Sequence, residues 1–291
     1  MRSFGNPAVA GGTPALRSIW ATRPLAKAAR PRNMKRIVEP ELLDTLSPGD
    51  PRAAGSRRDL RRLNAWMRNH AIMANALQTA VNGRAPGPIV ELGAGDGDFL
   101  LRVARRLSSL EVPARSSRDG PNRPAVGGTG LRATGAWNEV NVTLLDRQKV
   151  VTPQTLAAFA SLGWRAEAVV ADIFDWSQTP VPAEIVIVNE VLHHFDDARL
   201  AGLLRVIAGR THLFIAIEPR RAPWPLFCSR LLWAINCNSV TRHDATVSVR
   251  AGFVREELSA LWPDKKNWQL TEQPAGPFSH LFIAQKTGPA T

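Results

Sequence analysis

A strand, a turn and a helix follow one another in a single stretch, Pro88-Ile89-Val90-Glu91-Leu92-Gly93-Ala94-Gly95-Asp96-Gly97-Asp98-Phe99-Leu100. The apolar run after Pro88 predicts a buried parallel strand, and the three glycines at alternate positions predict a tight turn. From Phe99 to Leu107 the apolar residues follow helical spacing. This unit is typical of a site for a nucleotide-like ligand.

The charges around this turn distinguish three classes of ligand. A phosphate-binding loop needs a lysine followed by Ser or Thr, and no lysine follows these glycines. A dinucleotide fingerprint would have glycine in place of Asp98, because a carboxylate at the start of the helix repels a pyrophosphate. Glu91, Asp96 and Asp98 instead favour a positively charged ligand. S-adenosylmethionine, with its sulfonium and its amino group, is such a ligand.

The pattern Glu91-x-Gly93-x-Gly95-x-Gly97 resembles the first motif of class I S-adenosylmethionine-dependent methyltransferases, and the resemblance extends in order from about residue 88 to 286. It implies an α/β, Rossmann-like fold: a seven-stranded, mostly parallel sheet with an antiparallel last strand, helices on both faces and a helical N-terminal addition. The alternation of predicted strands and helices agrees with a parallel sheet. A turn-rich segment at 274–277 predicts a final hairpin.

The resemblance also assigns residues to the cofactor, S-adenosylmethionine. Asp146 ends the second predicted strand and would accept both ribose hydroxyls. Asp172 would bond the adenine amino group, and the backbone of Ile173 would meet the ring. A capping role is the alternative for both acids. The full expected set is Glu91, Gly93, Gly95, Gly97, Asp146, Arg147, Asp172, Ile173 and Asn189.

The residues after Asn189 bear on the methyl acceptor. Enzymes acting on the amino groups of bases usually have Pro-Pro and an aromatic residue there, whereas this chain has Glu-Val-Leu-His-His-Phe, which resembles small-molecule methyltransferases. Ala208-Gly209-Arg210 replaces the usual Pro-Gly-Gly before the fifth strand, so the resemblance assigns no closer subfamily. The residues after Asn189 decide the expected acceptor. We therefore expect methyl transfer to a small, largely apolar acceptor, aromatic or polyketide, at oxygen. A carbon methyltransferase of quinone or polyketide type, an RNA-modifying methyltransferase, a nicotinamide oxidoreductase and a non-catalytic protein of the same fold are the alternatives.

Histidines are the candidate bases for a hydroxyl acceptor, since its proton must be removed. His193 and His243 are the expected catalytic residues, and at most one of the adjacent His193 and His194 can face a pocket. A surface or hydrogen-bonded histidine is the alternative for each. None has metal-ligand spacing with a cysteine or carboxylate, so no metal is expected.

Composition divides the chain into segments. Residues 1–33 hold six basic side chains and no acid, half of the net charge of +12, and are expected to be a disordered extension, either a transit peptide or a stretch before a true start at Met34. Residues 34–84 are the predicted helical addition, and 85–287 the methyltransferase domain with a disordered insertion at 113–137. The remaining charge is modest, which argues against a nucleic-acid partner. With two cysteines and no apolar run of transmembrane length, we expect a cytoplasmic protein.

Two segments of the chain each allow two structural roles. Apolar residues from Leu60 to Leu77 recur at helical spacing and predict one long helix, either a lid over the site or a helix packed on the sheet edge. The connection at 220–250 holds Trp224, Phe227 and Trp233, with Trp262 beyond it. These aromatic residues predict either an apolar pocket wall or a core helix over 226–235.

Overall fold

A central β-sheet organises the chain. The computed structural model describes residues 34–288 except for 48, 111–136, 179–180 and 182. Across these residues seven strands form one sheet: β1 Ile89–Leu92, β2 Asn141–Asp146, β3 Arg165–Val170, β4 Ile185–Asn189, β5 Leu213–Pro219, β6 Trp268–Ala275 and β7 Ser279–Lys286. Their order is β3-β2-β1-β4-β5-β7-β6, and β7 runs antiparallel to both neighbours. The predicted fold class is confirmed.

Strand order positions the ligand site. The chain adds β2 and β3 on one side of β1 and then returns to place β4 on its other side. In open α/β sheets a crevice forms at this reversal, outside the carboxyl ends of the strands. The loops after β1 and β4 therefore face each other across such a crevice.

Helices cover both faces of the sheet. In the described residues they are α1 Leu42–Thr45, α2 Pro51–Met67, α3 Asn69–Val81, α4 Asp98–Leu110, α5 Pro153–Ser161, α6 Asp197–Arg210, α7 Pro223–Arg230, α8 Ser239–Ala251 and α9 Glu257–Leu261. One apolar core joins β1 to α3, α4 and α5, and a second joins the opposite face to α6 and α9. Side chains alternate between faces along a strand, so Ile89 belongs to the first core and Val90 to the second.

The N-terminal helical region differs from its prediction. Instead of one helix over Leu60 to Leu77, α2 and α3 meet at Arg68, whose φ of 61° is left-handed. The break places Asn69 at the start of α3, fully buried. Its side chain donates to Asn64 and accepts from the hydroxyl of Ser279 at 2.7 Å. These polar contacts would be lost if the helix continued straight through.

The aromatic segment after β5 is also corrected. Trp224, Phe227 and Trp233 are each more than half exposed, on α7 and on a 3-10 turn that follows it, so they belong to no core helix. None of them is among the described residues that line the main cavity. Trp262 is buried, stacked on Phe214 inside the second core.

Some predicted features fall where the structure gives no description. Residues 1–33 lie outside the described residues, and so does the predicted insertion at 113–137 apart from Trp137. The Trp137 side chain is buried, with its ring centroid 6.2 Å from that of Trp164. Over the described part of the chain, every helix is too short or too polar to span a membrane.

Candidate functional site

A cavity of about 660 Å³ lies at the carboxyl ends of the strands. It is lined by the loops after β1, β2, β3 and β4 and by residues of the N-terminal segment from Val38 to His70. The predicted cofactor residues that line it are Glu91, Gly93, Gly95, Asp146, Arg147, Asp172, Ile173 and Asn189. Gly97 is the predicted member that does not. The acids at three successive strand ends thus rim one cavity, and the N-terminal helices close its other side.

Two positions in the turn after β1 require glycine for steric reasons. Both adopt left-handed backbone conformations, with φ of 74° at Gly93 and 78° at Gly97. A Cβ on Gly93 would lie 2.5 Å from a methyl of Val191, and one on Gly97 would lie 2.9 Å from Leu144. Gly97 therefore shapes the turn from behind, which explains why it does not line the cavity.

Asp146 ties the glycine turn to the second strand. Its Oδ2 accepts the backbone N–H of Gly95 at 2.9 Å, and its Oδ1 accepts that of Gln148 at 2.8 Å. An ionised carboxylate offers about four lone-pair positions. The acceptor positions that remain after these two bonds can take further donors, such as a pair of hydroxyls.

Glu91 is a buried acid with unused bonding capacity. The side chain is on β1, almost without solvent exposure, and its Oε2 has no hydrogen-bond partner within the described residues. Burial first, and then the charges of Asp96, Asp146 and Asp98, hold the pKa of Glu91 well above its ordinary value. A cation at this end of the cavity would supply the missing partner and favour the ionised form.

The residues after β2 and β3 are held by local contacts. Asp172 Oδ1 accepts the backbone N–H of Phe174 at 2.9 Å, so its second oxygen is available to the cavity. Ile173 is buried against the second core. Arg147 donates to Asp44 at 2.7 Å and thereby joins the loop after β2 to the N-terminal segment.

The two histidines predicted as bases lie away from the cavity surface, judged on the described residues. His193 is buried, with Nδ1 2.8 Å from Glu218 and Nε2 3.2 Å from Glu41. Burial alone would lower its pKa, but these carboxylates outweigh burial and raise it to about 10. His243 is 48% exposed and bonds Asp244. The histidine that lines the cavity is His194.

His243 and Asp244 have a structural position instead. The Asp244 carboxylate accepts the backbone N–H groups of Leu42 at 2.8 Å and Leu43 at 3.0 Å, at the start of α1. These are donors that an isolated helix leaves unpaired. Asp244 therefore anchors α1 to α8, and His243 contacts it from the solvent side.

Glu190 is a site residue that the sequence argument missed. It lines the cavity directly after Asn189, in a left-handed conformation with φ of 57°. Its Oε1 is 3.3 Å from the Asn69 side-chain nitrogen. Burial raises the pKa of Glu190 to about 7. The sequence offers one signal, an acid directly after a strand end. That signal does not show that the side chain is buried.

The chain resembles known proteins in its fold. No protein-family profile and no curated protein matches the chain. Among solved structures, the plantazolicin methyltransferase BpumL, in complex with a triazolic desmethylPZN analog and SAH, aligns with a TM-score of 0.54 at 10% identity, over 81% of this chain and 92% of that one. The chain has the methyltransferase fold. The plantazolicin methyltransferase BamL aligns with the same fold at a TM-score of 0.52 and 12% identity, over 81% and 91% of the two chains.

Proposed function

We propose that the chain is an S-adenosylmethionine-dependent methyltransferase that acts at an oxygen of a small, largely apolar acceptor. The observation that carries the proposal is the position of Glu91, Asp146 and Asp172 around one cavity at the strand ends. The methyltransferases of the same fold that were solved with SAH support the choice of cofactor.

The residues present fit that cofactor. Glu91, with its unpartnered buried oxygen, suits a ligand group of positive charge. Asp146 would accept the ribose hydroxyls, and Asp172 with the backbone of Ile173 would hold the adenine. When bound, the cofactor supplies a methyl group whose carbon is already activated by the sulfonium. The protein then has to position the acceptor and take its proton.

An aromatic wall supports an apolar acceptor. Phe174 and Phe195 line the cavity and meet edge to face, with ring centroids 5.0 Å apart. The Arg199 guanidinium lies over both rings, 4.6 Å and 5.4 Å from their centroids. Rings held in this way offer a rigid apolar surface to a flat ligand.

Glu190 is the proposed proton acceptor. It lines the cavity beside Asn189 and is held by the Asn69 amide. A carboxylate with a pKa of about 7 is matched to proton transfer near neutral pH. The Glu190 carboxylate would take the hydroxyl proton of the acceptor, whose oxygen would gain the methyl group as SAH is released. This role is the reason to favour oxygen over carbon.

Calorimetry with SAH tests the cofactor assignment. We expect saturable one-to-one binding, weakened about 10–100-fold by Asp146→Asn because an amide forms weaker hydrogen bonds with hydroxyl donors than a carboxylate does. Glu139→Gln is the matched control, since Glu139 lies before β2, at the opposite end of the strand that Asp146 ends, and is mostly exposed. Equal affinities for all three proteins would contradict the assignment.

A screen of candidate acceptors by mass spectrometry tests the reaction. The expected product gains one methyl group, and fragmentation locates that methyl on oxygen. A methyl on ring carbon would replace the oxygen assignment with the carbon one. Salt-sensitive binding and methylation of RNA would instead indicate the nucleic-acid alternative.

A further inference from the structure

Three side chains converge beside the cavity. Glu41 precedes α1, and His193 and His194 lie on the 3-10 turn Leu192–His194 after β4. The Nε2 atoms of the two histidines are 3.2 Å and 4.0 Å from the two oxygens of Glu41. One ligand atom from each of the three residues lies within 4.8 Å of the others. Such spacing suits the ligands of one metal ion.

The other nitrogen of each imidazole already has its own carboxylate. Nδ1 of His193 is 2.8 Å from Glu218, and Nδ1 of His194 is 3.1 Å from Asp44. Ionised carboxylates only accept hydrogen bonds, so each Nδ1 must be the donor. Nε2 of both rings then faces Glu41; a proton on Nε2 of His193 can be donated to Glu41, and a bound metal ion would take the place of that proton. Histidines that bind metals usually have this outer carboxylate, which fixes the tautomer and the ring orientation.

The convergence needs a positive charge at its centre. Two nitrogen lone pairs and a carboxylate cannot bond to one another without a proton or a metal ion between them. Glu41 is oriented further by the hydroxyl of Ser248. We propose that Glu41, His193 and His194 bind a divalent transition-metal ion of the zinc class. Nitrogen and oxygen ligands of this kind match the preferences of such ions.

The cavity reaches one of the three proposed ligands, His194. His194 and Asp44 line the cavity, and the His194 side chain is 21% exposed. Three protein ligands leave a fourth position open, as in catalytic rather than structural zinc sites. Spacing along the sequence could not reveal it, because Glu41 and His193 are 152 residues apart.

The test uses the full chain, freed of metal by a chelator and titrated with Co²⁺ and Zn²⁺. We expect one equivalent to bind and Co²⁺ to give a visible absorption band. Glu41→Gln and His194→Gln should each lower the affinity about 100-fold or more, since the loss of even an outer partner costs 10–100-fold. His243→Gln is the matched control and should bind as the unaltered chain does. The His243 ring contacts the Asp244 carboxylate, which is not one of the three proposed ligands.

Circular dichroism of each variant separates lost ligands from lost folding. If Glu41→Gln does not fold, the result for His194→Gln decides the test, because His194 is the more exposed of the two residues. Absence of saturable binding would overturn the proposal. So would a His194→Gln chain that binds Co²⁺ as tightly as the unaltered one, because the ion would then be bound elsewhere in the chain.

Discussion

Replacing Glu218 with alanine is expected to lower the free energy of unfolding by about 3–5 kcal/mol. Glu218 is the next-to-last residue of β5 and is completely buried, and its carboxylate accepts the backbone N–H groups of Val191, Leu192 and His193 at 3.1, 2.9 and 3.3 Å. It also bonds the His193 ring. Alanine would leave all of these donors buried without a partner, and each such loss is costly.

Urea denaturation followed by circular dichroism measures this effect. Glu218→Gln should fall between the wild-type chain and the alanine variant, because its amide oxygen still accepts backbone N–H groups but has no charge. Asp197→Asn is the control, since its carboxylate is 73% exposed in an ion pair with Arg36, and such pairs contribute under about 1 kcal/mol. A loss for Glu218→Ala no larger than that of the control would refute the structural role.

Local pattern was enough to predict the fold. The apolar run before Gly93, the turn that only glycines fit and the helical spacing after Asp98 act on neighbours in sequence, so they can be found without coordinates. An acid at each strand end could be assigned to one rim because parallel strands share their carboxyl edge. The cavity contains Glu91, Asp146 and Asp172 for that reason.

Contacts between distant segments could not be predicted in this way. Residue type alone makes His193 a candidate base, yet its position is decided by Glu41 and Glu218, which lie far away in sequence. The left-handed conformations of Arg68 and Glu190 likewise depend on tertiary contacts, since neither residue type favours positive φ. These tertiary contacts also decide which residues line the cavity and which lie behind it.

Glu190→Gln is expected to make the chain more stable than the wild type at pH 8 but not at pH 4. Burial raises the pKa of Glu190 to about 7 from 4.5. Between these two values the folded chain keeps a proton that the unfolded chain has lost, so wild-type stability falls as the pH rises through this window. The glutamine variant has no such proton. Its relative stability should rise by about 1–3 kcal/mol across the window, less than the full shift because the side chain borders the cavity.

The groups around Glu190 act in both directions. The nearby charges of Glu218 and Glu41 add to the rise in its pKa, whereas the charge of His193 and a hydrogen bond from Asn64 oppose it. Urea denaturation at several pH values gives the slope of the free energy of unfolding against pH. Glu139→Gln alters an exposed carboxylate before β2, at the opposite end of the strand from Asp146, and should leave that slope unchanged. Parallel pH profiles for Glu190→Gln and the wild type would show that Glu190 is not protonated in the folded chain.

The same variant separates a proton acceptor from a residue that only shapes the cavity. With an oxygen acceptor in hand, Glu190→Gln should lower kcat about 100-fold, the lower end of the contribution of a general base, while the affinity for SAH stays the same. Glu39→Gln removes another carboxylate that lines the cavity and should change kcat little. Equal losses in the two variants would point to the charge of the cavity as a whole. A loss confined to Glu190→Gln, with a wild-type rate that rises through pH 7, is what proton removal by this one carboxylate requires.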